Sequence, residues 1–133
     1  MLRRIQIRWS VNNQYLGQVG RYFHDAFYGI WGGGLGERVK QLLKDCPDCK
    51  IWVTGHSLGG AMASIAASYL AYSGVAKGHD IKLVTFGQPK TGDTNFGNNL
   101  TKKVPYSYRV VNNRDLVVQV PQWYDHHSKE PTK

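Results

Sequence analysis

One serine near the middle of this chain lies in a setting that suits nucleophilic catalysis. It is Ser57, in the run Gly-His-Ser-Leu-Gly. A serine hydroxyl attacks a carbonyl carbon well only when a neighbouring imidazole removes its proton, and a carboxylate must orient that imidazole. Asp115 and a histidine near the C-terminus, His126 or His127, could supply these two groups. The residue types therefore predict acyl transfer through a covalent intermediate on Ser57.

The residues around Ser57 predict a strand, a very tight turn and a helix. Residues 51–53 are good strand formers, and the alanine-rich run after the serine favours a helix that can pack closely. We expect Gly55 and Gly59 to lie where a β-carbon would collide as the backbone reverses. Such a turn, which we call the elbow, lifts the serine hydroxyl clear of the sheet edge. The N–H of Leu58, at the start of the helix, is then the expected oxyanion donor.

The rest of the chain predicts helices that alternate with strands, which indicates an α/β fold with a mostly parallel sheet covered by helices. Functional groups in such sheets gather beyond the carboxyl ends of the strands, and Ser57 and Asp115 both follow predicted strands. The predicted elements are helices over 19–31 and 35–43, a strand over 51–53, a helix over 59–72, a strand over 81–86, a short helix or loop over 93–103, and a strand over 106–112.

Two segments carry a clear apolar pattern outside the elbow. Residues 5, 7 and 9 alternate with polar residues, as in a half-buried strand. In the helix predicted over 19–31, apolar side chains recur at helical spacing, which predicts one broad face that packs on the core. The members of this stripe are Tyr22, Phe23, Ala26, Phe27, Ile30 and Trp31.

Other residues compete for the catalytic roles. Asp93 also follows a strand and a turn, so it is an alternative acid. His24 lies on a predicted amphipathic helix and is expected to be structural. The elbow should turn the side chain of His56 away from the nucleophile. His79, in a glycine-rich loop, is expected to lie on the surface.

Composition narrows the class of protein. The 133 residues, with a net charge of +8, predict one domain over residues 1–133. The basic residues are scattered and accompany no nucleic-acid-binding motif, so we expect surface charge and no nucleic-acid partner. No apolar run approaches the roughly 20 residues of a membrane span, so no transmembrane segment is expected. Polar residues interrupt the N-terminal segment, so no signal peptide is visible.

Two cysteines, Cys46 and Cys49, form a single Cys-Pro-Asp-Cys run. A structural zinc site would need two further ligands at suitable spacing, and no second pair exists. A local disulfide or two unpaired thiols are the remaining interpretations. We therefore expect neither a metal nor another cofactor.

Five segments resemble those of one family in the same order. Residues 53–61 are similar to the nucleophile segment of the class 3 lipases, the fungal-lipase-like branch of the α/β-hydrolases. The resemblance spans residues 19–130. The other four segments are 19–31 (the helix before the elbow), 84–92 (the next strand and turn), 109–117 (the catalytic aspartate) and 124–130 (the histidine).

The resemblance assigns the site residues. It implies Ser57 as nucleophile, Asp115 as acid and a C-terminal histidine as base. The family's histidine precedes a glutamate by four positions, so Glu130 points to His126, with His127 as the alternative. The implied activity is a cofactor-independent lipase that cleaves acylglycerol esters, acts at a lipid–water interface and is secreted.

The resemblance also has departures. Family members carry, upstream, a Phe-Arg-Gly-Thr/Ser-like segment that supplies the second oxyanion donor, and residues 1–17 do not contain it. Val118 replaces a proline that commonly follows the aspartate. We therefore expect an N-terminally incomplete version of the fold. The alternative function is a non-catalytic remnant that binds lipid or a partner without turnover.

Overall fold

The structure, a computed structural model, describes residues 17–120. Short 3-10 turns at Gly78–Asp80 and Val117–Gln119 accompany the main elements. The elements match the predicted order closely, and the segment predicted as a short helix or loop is a helix. The helices are α1 (Arg21–Ile30), α2 (Gly36–Asp45), α3 (Leu58–Tyr72) and α4 (Thr94–Lys103), and the strands are β1 (Ile51–His56), β2 (Ile81–Phe86) and β3 (Tyr106–Val110).

The three described strands form a parallel sheet in the order β1-β2-β3. Ile51 pairs with Ile81, and Lys82 pairs with Tyr106. Helix α3 connects the first pair of strands and α4 connects the second, as parallel strands require. The predicted mostly parallel sheet is confirmed. All three strands therefore present their carboxyl ends at one edge of the sheet.

The core lies between one face of this sheet and the helices. Ile81, Leu83 and Thr85 of β2 point into it and are buried. Helix α3 lies close to the sheet, and Ala61 and Ala67 on its inner side have no exposed surface. Small side chains at these positions bring the backbone of α3 near β1. This close approach sets the geometry of the turn that joins them.

The broad core face predicted for the first helix is only partly correct. Phe27 of α1 is buried and its ring lies 5.8 Å from that of Tyr69 on α3, while Trp31 lies 4.9 Å from the same ring. Tyr22 and Ile30, however, are 67% and 52% exposed. Helix α1 packs against α3 along one side, so only a narrow stripe of its apolar residues is covered.

The second face of the sheet is largely exposed within residues 17–120. We call it the open face. Trp52 on β1 and Tyr108 on β3 are 64% and 59% exposed there. The helices that pack on the described sheet lie on the other side. The open face comprises Trp52, Thr54, His56, Lys82, Val84, Phe86, Tyr106, Tyr108 and Val110.

Two local features complete the fold. Gly34, with φ of 119°, interrupts the helical path between α1 and α2, a conformation that glycine adopts readily. Cys46 and Cys49 form a disulfide that closes a turn between α2 and β1. This outcome matches one of the two interpretations of the Cys-Pro-Asp-Cys run. None of the helices in the described part of the chain is both long and apolar enough to cross a membrane.

Candidate active site

Ser57 occupies a strained turn between β1 and α3. Its φ and ψ are 52° and −123°, and no other non-glycine residue within residues 17–120 has a positive φ. Strain of this kind costs about 1–3 kcal/mol and persists only where the surroundings enforce it. The Ser57 N–H donates to the carbonyl of Phe86 on β2 at 2.9 Å, and the Ser57 carbonyl accepts from Gly60 N–H at 2.9 Å. The turn is therefore held by both the sheet and the helix.

The glycine positions where a β-carbon would collide differ in part from the prediction. A β-carbon at Gly55 would lie 2.2 Å from the Gly59 carbonyl oxygen, so glycine is required at 55 as expected. A β-carbon at Gly59, in contrast, would meet nothing within 4 Å, and the expected collision there is wrong. The crowded helix position is Gly60, where a β-carbon would lie 3.1 Å from Cβ of Gln88. The strand faces the backbone of Gly59, while the side-chain direction of that residue is free.

The N-terminus of α3 lies directly behind the serine. Helix α3 begins at Leu58, and the first N–H groups of any helix lack acceptors within it. These groups also carry the positive end of the helix dipole, which favours negative charge nearby. The N–H of Leu58 is thus available to an oxyanion that forms beside Ser57.

Asp115 lies on the segment that follows β3, beyond its last residue, Val110. One carboxylate oxygen, Oδ1, accepts a hydrogen bond from Val117 N–H at 2.8 Å. The other, Oδ2, lies 3.2 Å from the point where a β-carbon of Gly87 would be. Gly87 has φ of +56° and is the first residue after β2. The carboxylate therefore rests on the start of the turn that ends β2.

That turn connects the nucleophile and the aspartate. Phe86, which accepts the hydrogen bond from Ser57, directly precedes Gly87, against which Asp115 lies. Nε2 of His56 lies 3.4 Å from the same β-carbon position at Gly87. Side chains alternate between the two faces along β1, so the His56 side chain leaves the elbow on the open face. The structure thus brings Ser57 and Asp115 to neighbouring residues of one turn.

Asp93, the alternative acid, makes structural hydrogen bonds. It is the N-cap of α4, and its Oδ1 accepts hydrogen bonds from Phe96 N–H at 2.8 Å and Gln18 N–H at 3.1 Å. The same oxygen therefore fixes the helix start and the segment before α1. Two other histidines, His24 and His79, each lie beside the aspartate that follows them in the chain. His24 is hydrogen-bonded to Asp25 at 2.9 Å, and exposed His79 lies 3.4 Å from Asp80.

His126 and His127 lie outside the described residues. The assignment of His126 as base, with His127 as the alternative, remains a prediction. No group of side chains that could hold a metal ion occurs in the part of the chain that the structure describes.

Sequence reasoning missed a polar cluster under the turn. Gln88 is buried, and its side-chain amide accepts from the Thr85 hydroxyl at 2.6 Å and donates to Thr91 at 2.7 Å. The Gln88 carbonyl accepts from Nε and Nη2 of Arg109 at 3.1 and 2.6 Å. Nη2 of Arg109 also donates to the Val118 carbonyl at 2.6 Å. The available signal was an arginine inside an apolar strand, which needs acceptors for its charge.

Members of this cluster, Thr85, Gln88, Thr91 and Arg109, also line a cavity. It has a volume of about 240 Å³ and lies between β2, β3 and α4. Leu83, Phe96 and Leu100 contribute much of its apolar wall, and neither Ser57 nor Asp115 lines it.

Several known proteins are similar to this chain over most of its length. A family model described as Lipase (class 3) matches residues 3–125. A lipase of Caenorhabditis elegans is 44% identical over 108 residues, which are 80% of this chain and 29% of that protein. A Fusarium solani protein named secreted mono- and diacylglycerol lipase 1 is 40% identical over 126 residues, or 88% of this chain and 37% of that protein.

A solved structure gives the same result for the fold. It is a triacylglycerol lipase described as having a serine protease triad as its catalytic centre. Its TM-score is 0.76 at 31% identity, covering 89% of this chain and 45% of that one. This chain therefore spans less than half the length of each of these proteins.

The family match differs in extent from the resemblance seen in the residues. It begins at residue 3, upstream of residue 19, and ends at residue 125, before His126. It adds N-terminal residues that the resemblance left out, but it does not reach the predicted base. Together, the match and the fold identify the chain as a member of the class 3 lipase family, with the α/β-hydrolase fold.

Proposed function

We propose that this chain carries the catalytic centre of a serine ester hydrolase that cleaves acylglycerol esters through an acyl-Ser57 intermediate. The observation that carries the proposal is the strained turn at Ser57, with Asp115 resting on the adjoining turn. In this proposal Ser57 is the nucleophile, Asp115 the acid and His126 the base, with His127 as the alternative. The N–H of Leu58 is one oxyanion donor.

The reaction follows from these roles. His126 removes the proton from Ser57 Oγ as the oxygen attacks the ester carbonyl carbon, and Asp115 stabilises the imidazolium that results. The negative charge on the carbonyl oxygen is stabilised by the N–H of Leu58. Collapse of the intermediate breaks the bond to the alcohol oxygen, which takes the proton from His126. Water then attacks the acyl-Ser57 ester by the same route and releases the fatty acid.

The names of related proteins support acylglycerols as the substrate class. The Fusarium solani relative is a mono- and diacylglycerol lipase, and a Ricinus communis protein, 37% identical over 89 residues, is a triacylglycerol lipase. Esters of this kind collect at lipid–water interfaces, so we propose that the protein acts there. A net charge of +8 favours an interface that carries negative charge.

A secreted location fits the cysteine chemistry. The disulfide between Cys46 and Cys49 persists in oxidising compartments and is rare in the cytosol. The Fusarium solani relative is named as secreted. Asn99 begins an Asn-Leu-Thr sequence that could accept a glycan on the secretory route. We therefore propose that the protein is extracellular.

The test is the activity of the serine. Purified wild-type chain should hydrolyse a p-nitrophenyl ester and react with a fluorophosphonate probe at Ser57. The Ser57→Ala variant should lose about 10⁶-fold in kcat, to background, because no other group forms the acyl intermediate. Ser73→Ala, an exposed serine at the end of α3, is the matched control and should behave as wild type.

Two results would contradict the proposal. One is a Ser57→Ala variant that hydrolyses the ester as fast as wild type. The other is a folded wild-type chain that neither turns over the ester nor reacts with the probe. If that chain also floats with phosphatidylglycerol vesicles, the alternative applies: a form that binds lipid without turnover.

A further inference from the structure

The segment that carries Asp115 has little apolar contact to hold it. Leu116, the next residue, is 80% exposed, and Val117 is also exposed. Hydrophobic burial, which fixes most elements in a fold, therefore contributes little to the placement of this loop. Only Val118, farther along the segment, is buried. Polar contacts must decide where the carboxylate lies.

Those contacts converge on the turn formed by residues 87–92, which we call the β2 turn. The Lys90 N–H of this turn donates to the Val120 carbonyl at 2.9 Å, and the Gly87 N–H donates to the Val110 carbonyl at 2.9 Å. These two bonds attach the β2 turn to either end of the segment that contains Asp115. The β2 turn is also the element that the Ser57 elbow contacts, through Gln88 and Gly60.

Arg109 is the side chain that joins these parts. It donates two hydrogen bonds to the Gln88 carbonyl in the β2 turn and one to the Val118 carbonyl beyond Asp115. Hydrogen bonds from a charged donor are stronger than neutral ones, and the planar guanidinium fixes the angle between its acceptors. Partial desolvation of the guanidinium lowers the pKa of Arg109, although the residue as a whole is exposed, and the group stays charged at neutral pH.

Gln88 gives this connection a rigid base. Its side chain is fixed between the hydroxyls of Thr85 and Thr91, and a β-carbon at Gly60 would lie 3.1 Å from its Cβ. The backbone that accepts the Arg109 bonds is therefore the same backbone that packs on the start of α3. Gln88 could therefore move relative to Ser57 only by straining this packing.

We infer that Arg109 is a positioning residue, which places the Asp115 carboxylate relative to Ser57 by tying residues 115–118 to the β2 turn. This inference rests on the proposed function for its effect on turnover. Arg109 donates its hydrogen bonds to Gln88 and Val118 and not to Ser57. It acts through the placement of Asp115. Lysine at this position keeps the charge but cannot form the same three bonds in one plane.

The kinetic test compares Arg109→Met and Arg109→Lys with wild type on a soluble p-nitrophenyl ester. Misplacement of a catalytic group by about 1 Å can cost about 10²-fold. We expect kcat per folded molecule to fall by about 10²-fold in Arg109→Met and less in Arg109→Lys, with KM little changed. Arg38→Met, on exposed α2, is the matched control and should leave kcat unchanged.

A double variant tests whether Arg109 acts through Asp115. Asp115→Asn alone should lower kcat by about 10⁴-fold, because it removes the charge and fixes the wrong tautomer of the base. Adding Arg109→Met to Asp115→Asn should then cost less than about tenfold more, since the carboxylate to be placed is already lost. Two effects that multiply in full would overturn the inference, because Arg109 would be acting elsewhere.

Amide hydrogen exchange gives a measurement that needs no activity. In Arg109→Lys we expect exchange at the amides of Lys90 and Val117 to be about tenfold faster, because the segment opens more often. The amide of Cys46, which bonds Leu42 at the remote end of α2, should exchange as in wild type. Equal exchange at all three amides would overturn the positioning role.

These measurements separate the inference from the proposed function. If wild type has no esterase activity but Lys90 and Val117 exchange faster in Arg109→Lys, the proposed function fails and the tie to the β2 turn stands. If wild type is active and Arg109→Lys leaves kcat, KM and exchange unchanged, the inference fails alone. If Arg109→Met does not fold, Arg109→Lys takes its place in every comparison.

Discussion

Ser57 keeps a positive φ because contacts on two sides leave its backbone no alternative. Its N–H is bonded to Phe86 of β2, while its carbonyl accepts from the first turn of α3. Gly55 lets that turn come within a distance that no side chain would permit. Strain at this residue is therefore stored by the neighbouring elements, and it keeps the hydroxyl at the edge of the sheet.

Gly87 combines a left-handed backbone with close contact to Asp115. Gly87→Ala adds a β-carbon at a φ of +56°, 3.2 Å from Asp115 Oδ2. We expect about 1–2 kcal/mol lower stability from the left-handed backbone. The displaced carboxylate should also lower kcat by about 10²-fold.

Gly74→Ala separates these two effects. Gly74 has φ of +74°, and a β-carbon there would meet nothing within 4 Å. It should lose similar stability by urea denaturation and keep its kcat for p-nitrophenyl ester hydrolysis. Equal kcat losses in both variants would show that backbone strain, and not contact with Asp115, is responsible.

The two aspartates should respond in opposite ways to substitution. Asp93→Ala removes the cap of α4, which should lower the free energy of unfolding by about 1 kcal/mol and leave kcat per folded molecule unchanged. Asp115→Asn should lower kcat by about 10⁴-fold with little effect on unfolding. Denaturant titration and ester hydrolysis on both variants check this. A large loss of kcat in Asp93→Ala would restore it as the candidate acid.

At the scale of elements, a side-chain ion pair joins β1 and β2 in addition to the backbone hydrogen bonds between these strands. Lys50 directly precedes β1 and Asp80 directly precedes β2, and the two side chains form an ion pair at the edge opposite the site. The hydrogen bond from Lys50 holds the pKa of the Asp80 carboxyl below its ordinary value. The start of both strands is thus aligned by a surface pair.

This pair predicts a pH dependence. Because the pKa of Asp80 is lower in the folded chain than in the unfolded chain, the pair stabilises the fold above the unfolded pKa. That stability is lost as the pH falls through the folded pKa. Lys50→Met should raise the pKa of Asp80, as measured by NMR titration of its carboxyl carbon, and weaken the acid dependence of unfolding. Lys40→Met, on α2, is the control, and an equal shift in both variants would exclude the pair as the cause.

At the scale of the whole molecule, the sheet has one covered face and one open face within residues 17–120. Parallel sheets in α/β proteins are normally covered on both faces, and this chain spans less than half the length of its relatives. The open face carries aromatic residues that contact one another, with Trp52 and Tyr106 at 5.9 Å and Tyr106 and Tyr108 at 5.0 Å between ring centres. Exposed apolar surface of this kind promotes association.

We expect the 133-residue chain to bind an apolar dye through the open face and to self-associate. The double variant Trp52→Gln, Tyr108→Gln should reduce dye fluorescence and sedimentation-velocity oligomers. Its free energy of unfolding should change by less than about 0.5 kcal/mol per site, because both side chains are exposed. Tyr22→Gln, an exposed residue on α1, is the control. Unchanged dye binding in the double variant would contradict the open face as the surface that binds the dye.

The sequence alone determined the features that depend on short stretches of chain. Strand formers before Ser57, alanines after it and a required glycine at 55 predict the elbow, because each acts within a few residues. The alternation of strands and helices likewise predicts a parallel sheet whose carboxyl ends share one edge. These local rules indicated Ser57 as the nucleophile and left Asp115 and Asp93 as candidate acids, between which the family resemblance favoured Asp115.

The tertiary structure decided what depends on which segments meet. It assigned the collision near the elbow to Gly60 and left Gly59 free, and it made Asp93 a helix cap. It also joined Gln88 to Arg109 across the sheet. No periodicity within either segment encodes that contact, because it arises only when parallel pairing brings β3 beside the end of β2. The placement of Asp115 on Gly87 has the same origin, so the geometry of the site is a property of the assembled sheet.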